Sequence, residues 1–101
     1  MQPFLLERRI RDVHERLVRA REELAVLEEQ LAVVEEAADD ARLRSLVSET
    51  PLATKDYDEV RRHADAMSKA RASMRANVAE LERRQDELLT HVGDGPGPGT
   101  R

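Results

Sequence analysis

The side chains in this sequence that could carry chemistry are its adjacent carboxylates. Neighbouring acids support general acid–base catalysis when a cleft shifts their pKa values apart. The pairs are Glu22-Glu23, Glu28-Glu29, Glu35-Glu36 and Asp39-Asp40. Pairs that recur in this way along one segment are typical of the solvated face of a long helix, which has no cleft. We therefore expect no catalytic residue and a protein that is not an enzyme.

Histidine could supply metal ligands, but the spacing of the three histidines does not favour a site. His14, His63 and His91 never fall four residues apart, and no HExxH sequence is present. Di-iron bundles use Glu-x-x-His, whereas Glu59 precedes His63 by four residues. The chain has no cysteine, which excludes thiolate ligands and disulfides. We predict no metal site and no cofactor.

Arginine and serine offer one candidate set of contacts to phosphate. Ser68, Arg71 and Arg75 share one face of the second predicted helix, where guanidinium groups could hold a phosphate group. In the alternative, Arg75 pairs with Glu28 and Arg71 with Glu35, and these arginines only stabilise the fold. The net charge of −4 does not favour nucleic acid as the partner.

A second group of arginines lies near the N-terminus. Residues 1–21 contain six arginines and three acids, residues 22–40 contain eight acids and no base, and residues 60–85 contain seven bases and three acids. The N-terminal arginines could form a basic cap or could remain in ion pairs and solvent. Those considered for the cap are Arg8, Arg9, Arg11, Arg16 and Arg19.

Two long helices must position these side chains. Charged residues make up 38% of the chain and aromatic residues 2%, a composition typical of coiled coils. With Ile10 at heptad position a, apolar residues repeat at alternating spacings of three and four, which predicts a coiled-coil seam. The predicted seam of the first helix is Leu6, Ile10, Val13, Leu17, Ala20, Leu24, Leu27, Leu31, Val34, Ala38 and Ala41.

The second helix repeats this spacing after a proline break. Pro51 cannot continue a helix, so we predict helix 1 over about 4–47, a loop over about 48–55 and helix 2 over about 56–92. Asp56 is the expected N-cap, with Thr54 as the alternative. A disordered Gly/Pro tail is predicted over 93–101. The seam of helix 2 is Tyr57, Val60, Ala64, Met67, Arg71, Met74, Val78, Leu81, Gln85, Leu88 and Val92.

A short loop predicts an all-α fold in which the two helices form an antiparallel coiled-coil hairpin. The register that pairs Leu31 with Met74 also places opposite charges together at several flanking positions. It pairs Arg21 with Glu82 and leaves one repulsive pair, Arg42 with Arg61. Other pairs of this register are Leu27–Val78, Leu24–Leu81, Leu17–Leu88, Val13–Val92, Glu28–Arg75 and Glu23–Arg84.

Helix 1 has a second apolar row, at heptad positions b and c, that points away from the seam. A helix that is apolar on two faces normally has a partner on each. We expect that a second copy of the chain covers this row, so that two hairpins form a four-helix bundle. Alternatively, a helix of another protein covers it. A third interpretation is that these residues are present only because they favour helix formation. The candidate interface residues are Leu5, Val18, Val26, Val33, Leu46 and Val47.

The helical hairpin resembles a bacterial anti-sigma factor that binds cyclic di-GMP through Glu-x3-Ser-x2-Arg-x3-Gln-x3-Asp. Ser68 and Arg71 match this motif, whereas Ala64, Arg75 and Ala79 depart from it, so the dinucleotide is not implied. We expect a cytoplasmic, bacterial, non-enzymatic adaptor or regulator that binds a protein partner, without a membrane segment. The alternatives are a nucleotide or nucleic-acid-binding regulator and a purely structural self-associating bundle.

Overall fold

The computed structural model describes residues 3–93, which form two α-helices packed as a hairpin. Helix α1 runs from Pro3 to Ser48 and helix α2 from Pro51 to Gly93. No strand occurs within residues 3–93, which confirms the all-α hairpin. Gly93 ends α2 and does not begin the tail, and the rest of the predicted tail lies outside the described residues.

The hairpin divides into two compact units. The described part of unit 1 consists of residues 3–22 and 75–93, and unit 2 consists of residues 23–74. Each unit therefore contains one segment of α1 and one of α2. Neither helix has, within residues 3–93, a stretch long and apolar enough to cross a lipid bilayer.

The connection between the helices is shorter than the sequence predicts. Only Glu49 and Thr50 lie outside the helices, and residues 51–55, predicted as loop, form the first part of α2. Proline is favoured at the first position of a helix because its missing N–H would have no helical partner there. Pro51 therefore begins α2 as well as preventing α1 from continuing.

Thr50 is the N-cap of α2, in place of the predicted Asp56 or Thr54. The Ala53 N–H donates to Thr50 Oγ1 over 3.2 Å, and the Thr54 N–H donates to the Thr50 carbonyl over 3.1 Å. The side-chain bond satisfies an N–H group that has no partner inside the helix. Asp56 lies within α2, beyond the first turn.

Replacing Thr50 with alanine is expected to lower the free energy of unfolding by about 1 kcal/mol, because the cap of α2 is lost. Urea denaturation followed by circular dichroism measures the change. Thr50→Ser keeps the capping oxygen and should remain close to the wild type. Equal losses in Thr50→Ala and Thr54→Ala would contradict this assignment of the cap.

Glu49 directly follows α1 in a left-handed conformation, with φ of 52°. Its N–H donates to the Ser45 carbonyl over 3.1 Å, the bond that closes a left-handed C-terminal cap. A residue with a Cβ pays about 1 kcal/mol or more for this conformation, whereas glycine does not. The sequence gives no sign of this cap, because glutamate is not a usual residue at such a position.

Glu49→Gly should therefore raise the free energy of unfolding by about 1 kcal/mol, even though it adds a glycine. Thermal and urea unfolding at neutral pH measure the gain. Glu49→Ala removes the carboxylate but keeps the Cβ, so it should give no comparable gain. If both variants stabilise the chain equally, charge rather than backbone conformation is the cause.

The core of unit 1 follows the predicted seam. Leu17 is only 1% exposed, and Val78 and Leu88 of α2 pack against the buried cluster around it. Arg21 forms its predicted ion pair with Glu82 over 2.7 Å, but the buried cluster joins Leu17 to Leu81, one heptad before its predicted partner Leu88. Val92 departs from the predicted seam, since it is 53% exposed at the end of α2. The buried cluster consists of Val13, Leu17, Ala20 and Leu81.

The core of unit 2 depends on small side chains. Leu31, Ala38, Ala41 and Ala64 are buried, and Ala64 has no exposed surface. Buried alanines on both helices agree with the predicted close approach of the helix axes. The remaining seam residues of this unit, among them Leu27, Val34, Met67 and Met74, are partly buried.

Two predicted charge contacts of unit 2 are wrong. Arg61 avoids the expected repulsion with Arg42 because its side chain bonds instead to Glu35 and Asp65. Arg61 thereby takes the carboxylate that was assigned to Arg71, and Arg71 donates to Ser68 Oγ over 3.5 Å. Glu35 lies one heptad before Arg42, the residue that the predicted register places opposite Arg61, so the predicted register is wrong in this unit. The two-residue connection, shorter than the predicted loop, accounts for the displacement.

Candidate protein-interaction surfaces

The structure leaves the second apolar row of α1 exposed. Its six predicted interface residues range from 40% exposed at Val18 to 82% at Val47. Leu5 and Val18 belong to unit 1, and the other four belong to unit 2. In unit 2, Val26 and Val33 are 54% and 68% exposed and lie seven residues apart, on one side of α1.

Val33 also borders a groove between the helices of unit 2. The groove has a volume of about 530 Å³, and its surface is mostly apolar. Gln30 and His63 are its polar lining residues, one from each helix. The row on α1 and the groove therefore share a side chain. The complete lining is Leu27, Gln30, Val33, Val34, His63 and Met67.

The sequence analysis missed this groove, although the sequence contains a signal for it. Gln30 and Ala37 of α1, together with His63 and Ala70 of α2, occupy successive flanking g positions that carry no fixed charge. Flanking positions of a coiled coil normally carry charges that cover the seam. Where they are short or uncharged, the apolar residues beneath them remain accessible.

The other flank of unit 2 is closed by an ion-pair cluster. Arg61 donates through Nη2 to Glu35 Oε1 over 3.2 Å and through Nε to Asp65 Oδ1 over 3.1 Å. The hydrogen bond to Glu35 is the main cause of a raised Arg61 pKa. The bonds favour the charged form of Arg61, so the stability that this pKa shift contributes is lost as pH rises through the elevated pKa.

Unit 1 has a groove of a different chemical character. It has a volume of about 430 Å³, with Val13 and Leu88 among its lining residues and charged groups around them. Its charged residues are Arg9, Asp12, Arg16 and Arg84. Within residues 3–93, none of these three arginines forms an ion pair with a carboxylate.

Arg83 shows how an arginine of the same segment behaves when acids are near. It donates to Glu80 over 2.6 Å and to Glu87 over 3.1 Å, and the bond to Glu80 is the main cause of its raised pKa. The guanidinium groups of Arg9, Arg16 and Arg84 therefore keep more of their hydrogen-bonding capacity for a ligand.

The structure joins part of the predicted phosphate set. Ser68 and Arg71 lie together in unit 2, but the bond between them uses one donor of Arg71. Arg75 belongs to unit 1 and already has an interaction partner. The basic groove of unit 1 was not predicted as such, although Arg9 and Arg16 were among the arginines considered for an N-terminal cap.

All three histidines are exposed. His14 and His91 lie in unit 1, and His63 lines the groove of unit 2. In the described part of the chain, no three side chains of His, Asp or Glu are grouped so that they could hold a metal ion. Comparison with known proteins finds no family model, no curated protein and no solved structure that matches this chain.

Proposed function

We propose that this chain is a non-enzymatic helical-hairpin adaptor or regulator that binds another protein through the exposed apolar row of α1. The observation that carries the proposal is the exposure of all six candidate residues of that row, with Val33 beside an apolar groove. The proposed setting is the bacterial cytoplasm, since every basic residue except Lys55 and Lys69 is arginine, a bias common in GC-rich bacterial genomes.

The physical basis is the cost of keeping apolar side chains in water. Burial gains about 25 cal/mol for each Å² of apolar surface removed from solvent. An amphipathic helix from a partner can cover such a row by placing its own apolar side chains along it. The second row lies outside the buried seam of α1, so its apolar side chains are available for binding.

Photo-crosslinking in the cell that naturally produces the protein tests this proposal. A photoreactive residue at Val33 or Val47 should give adducts with a different protein, identified by mass spectrometry. The same residue at Ala72, which is exposed on α2, is the matched control. Adducts with the chain itself alone, or equal adducts at Ala72, would overturn the adaptor function.

A second candidate function is the binding of a phosphate-bearing ligand in the groove of unit 1. Its support is the convergence of Arg9, Arg16 and Arg84 on one groove without ion pairs to described carboxylates. Pyrophosphate titration, followed through the guanidinium NMR signals, should shift these three arginines and leave Arg83 unchanged. The shifts should shrink as salt is added. Equal shifts at Arg83 would indicate only nonspecific ion binding.

A further inference from the structure

We propose that a second copy of this chain docks on one defined surface of unit 2 and forms a four-helix bundle there. We call this surface the neutral face. It is formed by Val26, Gln30, Val33 and Ala37 of α1 and by His63, Ala66 and Ala70 of α2. The inference goes beyond the proposed function and competes with it at Val26 and Val33, which belong both to the apolar row and to this face.

Helix geometry places these residues together around the groove. Ala66 and Ala70 follow His63 by three and seven residues, and Val33 and Ala37 follow Gln30 by the same spacings. All seven side chains are exposed, and none carries a fixed charge. On the opposite flank, Arg61, Glu35 and Asp65 form an ion-pair cluster.

An uncharged face can meet its own copy without repulsion. On α1, Glu29 and Glu36 lie beside Val26 and Val33, so the uncharged surface ends there in an acidic edge. On the neutral face, small side chains let helices approach closely, and a groove of about 530 Å³ can receive apolar side chains of the copy. Val33, at the border of the groove, is the side chain best placed to enter the groove of the other chain.

The charges along the two edges of the neutral face favour a second copy of this chain as the molecule that docks there. On α1, Glu36 and Asp40 follow Val33 by three and seven residues. On α2, Arg62 and Lys69 flank Ala66 at four residues before it and three after it. All four are exposed and form no ion pair within the described residues. The α1 edge is therefore acidic, and the α2 edge is basic except for Glu59, which lies seven residues before Ala66.

A twofold axis parallel to the helices makes this arrangement self-complementary. The rotation places α1 of each chain against α2 of the other, so each acidic edge meets a basic edge. The other twofold arrangement, with α1 against α1, would join acid to acid and base to base. Edge charges contribute more to the choice of orientation than to affinity, so the charges select the first arrangement.

Sedimentation equilibrium of the purified full chain tests the face. The wild type should be dimeric, and Val33→Arg should raise the dissociation constant by about 30-fold or more, as expected for a residue central to an interface. Helicity should be unchanged, since Val33 is exposed. Ala32→Arg adds the same charge one residue away, outside the face, and should leave the dimer intact. Equal weakening by both substitutions would overturn the proposal.

Charge reversal tests the partner and its orientation. Glu36→Lys with Asp40→Arg should weaken the dimer, and so should Arg62→Asp with Lys69→Glu, because each makes both edges of a chain alike. Combining all four substitutions should restore the dissociation constant to near the wild-type value. A four-residue variant as weak as its parents would rule out the α1-on-α2 arrangement.

The outcomes for this inference and for the adaptor function are separable. A monomeric wild-type chain that gives adducts with a different protein at Val33 would overturn the second copy and leave the adaptor function standing. A dimer with the expected charge reversal, together with adducts of the chain to itself alone, would support the second copy and overturn the adaptor function.

Discussion

Replacing Leu17 with alanine is expected to lower the free energy of unfolding by about 3 kcal/mol, the typical loss for a large buried aliphatic side chain. Leu17 is 1% exposed and belongs to the buried cluster that Val13, Ala20 and Leu81 complete. Removing its side chain leaves a cavity that two helices can close only by shifting toward each other. Small domains have only about 5–15 kcal/mol of stability in total, so the loss is a large share.

Urea denaturation monitored by circular dichroism measures this effect, with the slope of the transition as a check on two-state behaviour. Leu43→Ala is the matched control, because Leu43 lies on the same helix and is 61% exposed. It should change stability by no more than about 0.5 kcal/mol, the usual range for surface substitutions. Similar losses at both positions would mean that the hydrophobic cluster of unit 1 does not stabilise the fold as described.

The seam was predictable because heptad spacing relates directly to burial. Each predicted seam residue of α1, from Leu6 to Ala41, is buried or partly buried. The Arg21–Glu82 pair was predicted from opposite charges on the two helices, and long side chains can form such a pair even when the register is displaced. The register was not predictable in this way, because Leu17 clusters with Leu81 rather than with a residue one heptad further along α2. The predicted Glu23–Arg84 pair is also absent, since Arg84 forms no ion pair within residues 3–93.

The turn between the helices could not be predicted, because the residues that indicate it are compatible with either a loop or the start of a helix. Pro51 excludes a continuing helix, but it equally favours the first position of a new one. Thr50 before it could be loop or cap, and only the 3.2 Å bond from the Ala53 N–H decides between them. The left-handed conformation of Glu49 depends on the short connection between two packed helices rather than on the type of residue.

Of the candidate binding surfaces, one could be predicted from the sequence and the other two could not. The exposed row of α1 could be predicted from the b and c positions, because those positions point away from a two-stranded seam. The two grooves could not, because a groove depends on how far flanking side chains extend. Gln30 and His63 leave the seam of unit 2 accessible, whereas Arg61 extends to Glu35 and covers the other flank.

Replacing Ala64 with leucine is expected to lower the free energy of unfolding by about 2 kcal/mol, because added methyl and methylene groups have no space in a closely packed core. Ala64 has no exposed surface, and Ala38 and Ala41 of α1 are each 1% exposed in the same unit. Leucine has nearly the same helix propensity as alanine, so the loss reports packing alone. The substitution therefore tests the close approach of α1 and α2 that buried alanines permit.

Urea unfolding compares Ala64→Leu with Ala72→Leu, in which the same side chain is added at an exposed position of α2. The control should change stability little. A stabilised Ala64→Leu would mean that the helices of unit 2 are further apart than described, with space beneath the neutral face. The groove beside Val33 would then be an extension of a loose core, and the argument that a second copy fills it would lose its packing basis. A destabilised variant supports a tight seam, above which the groove is available to a partner.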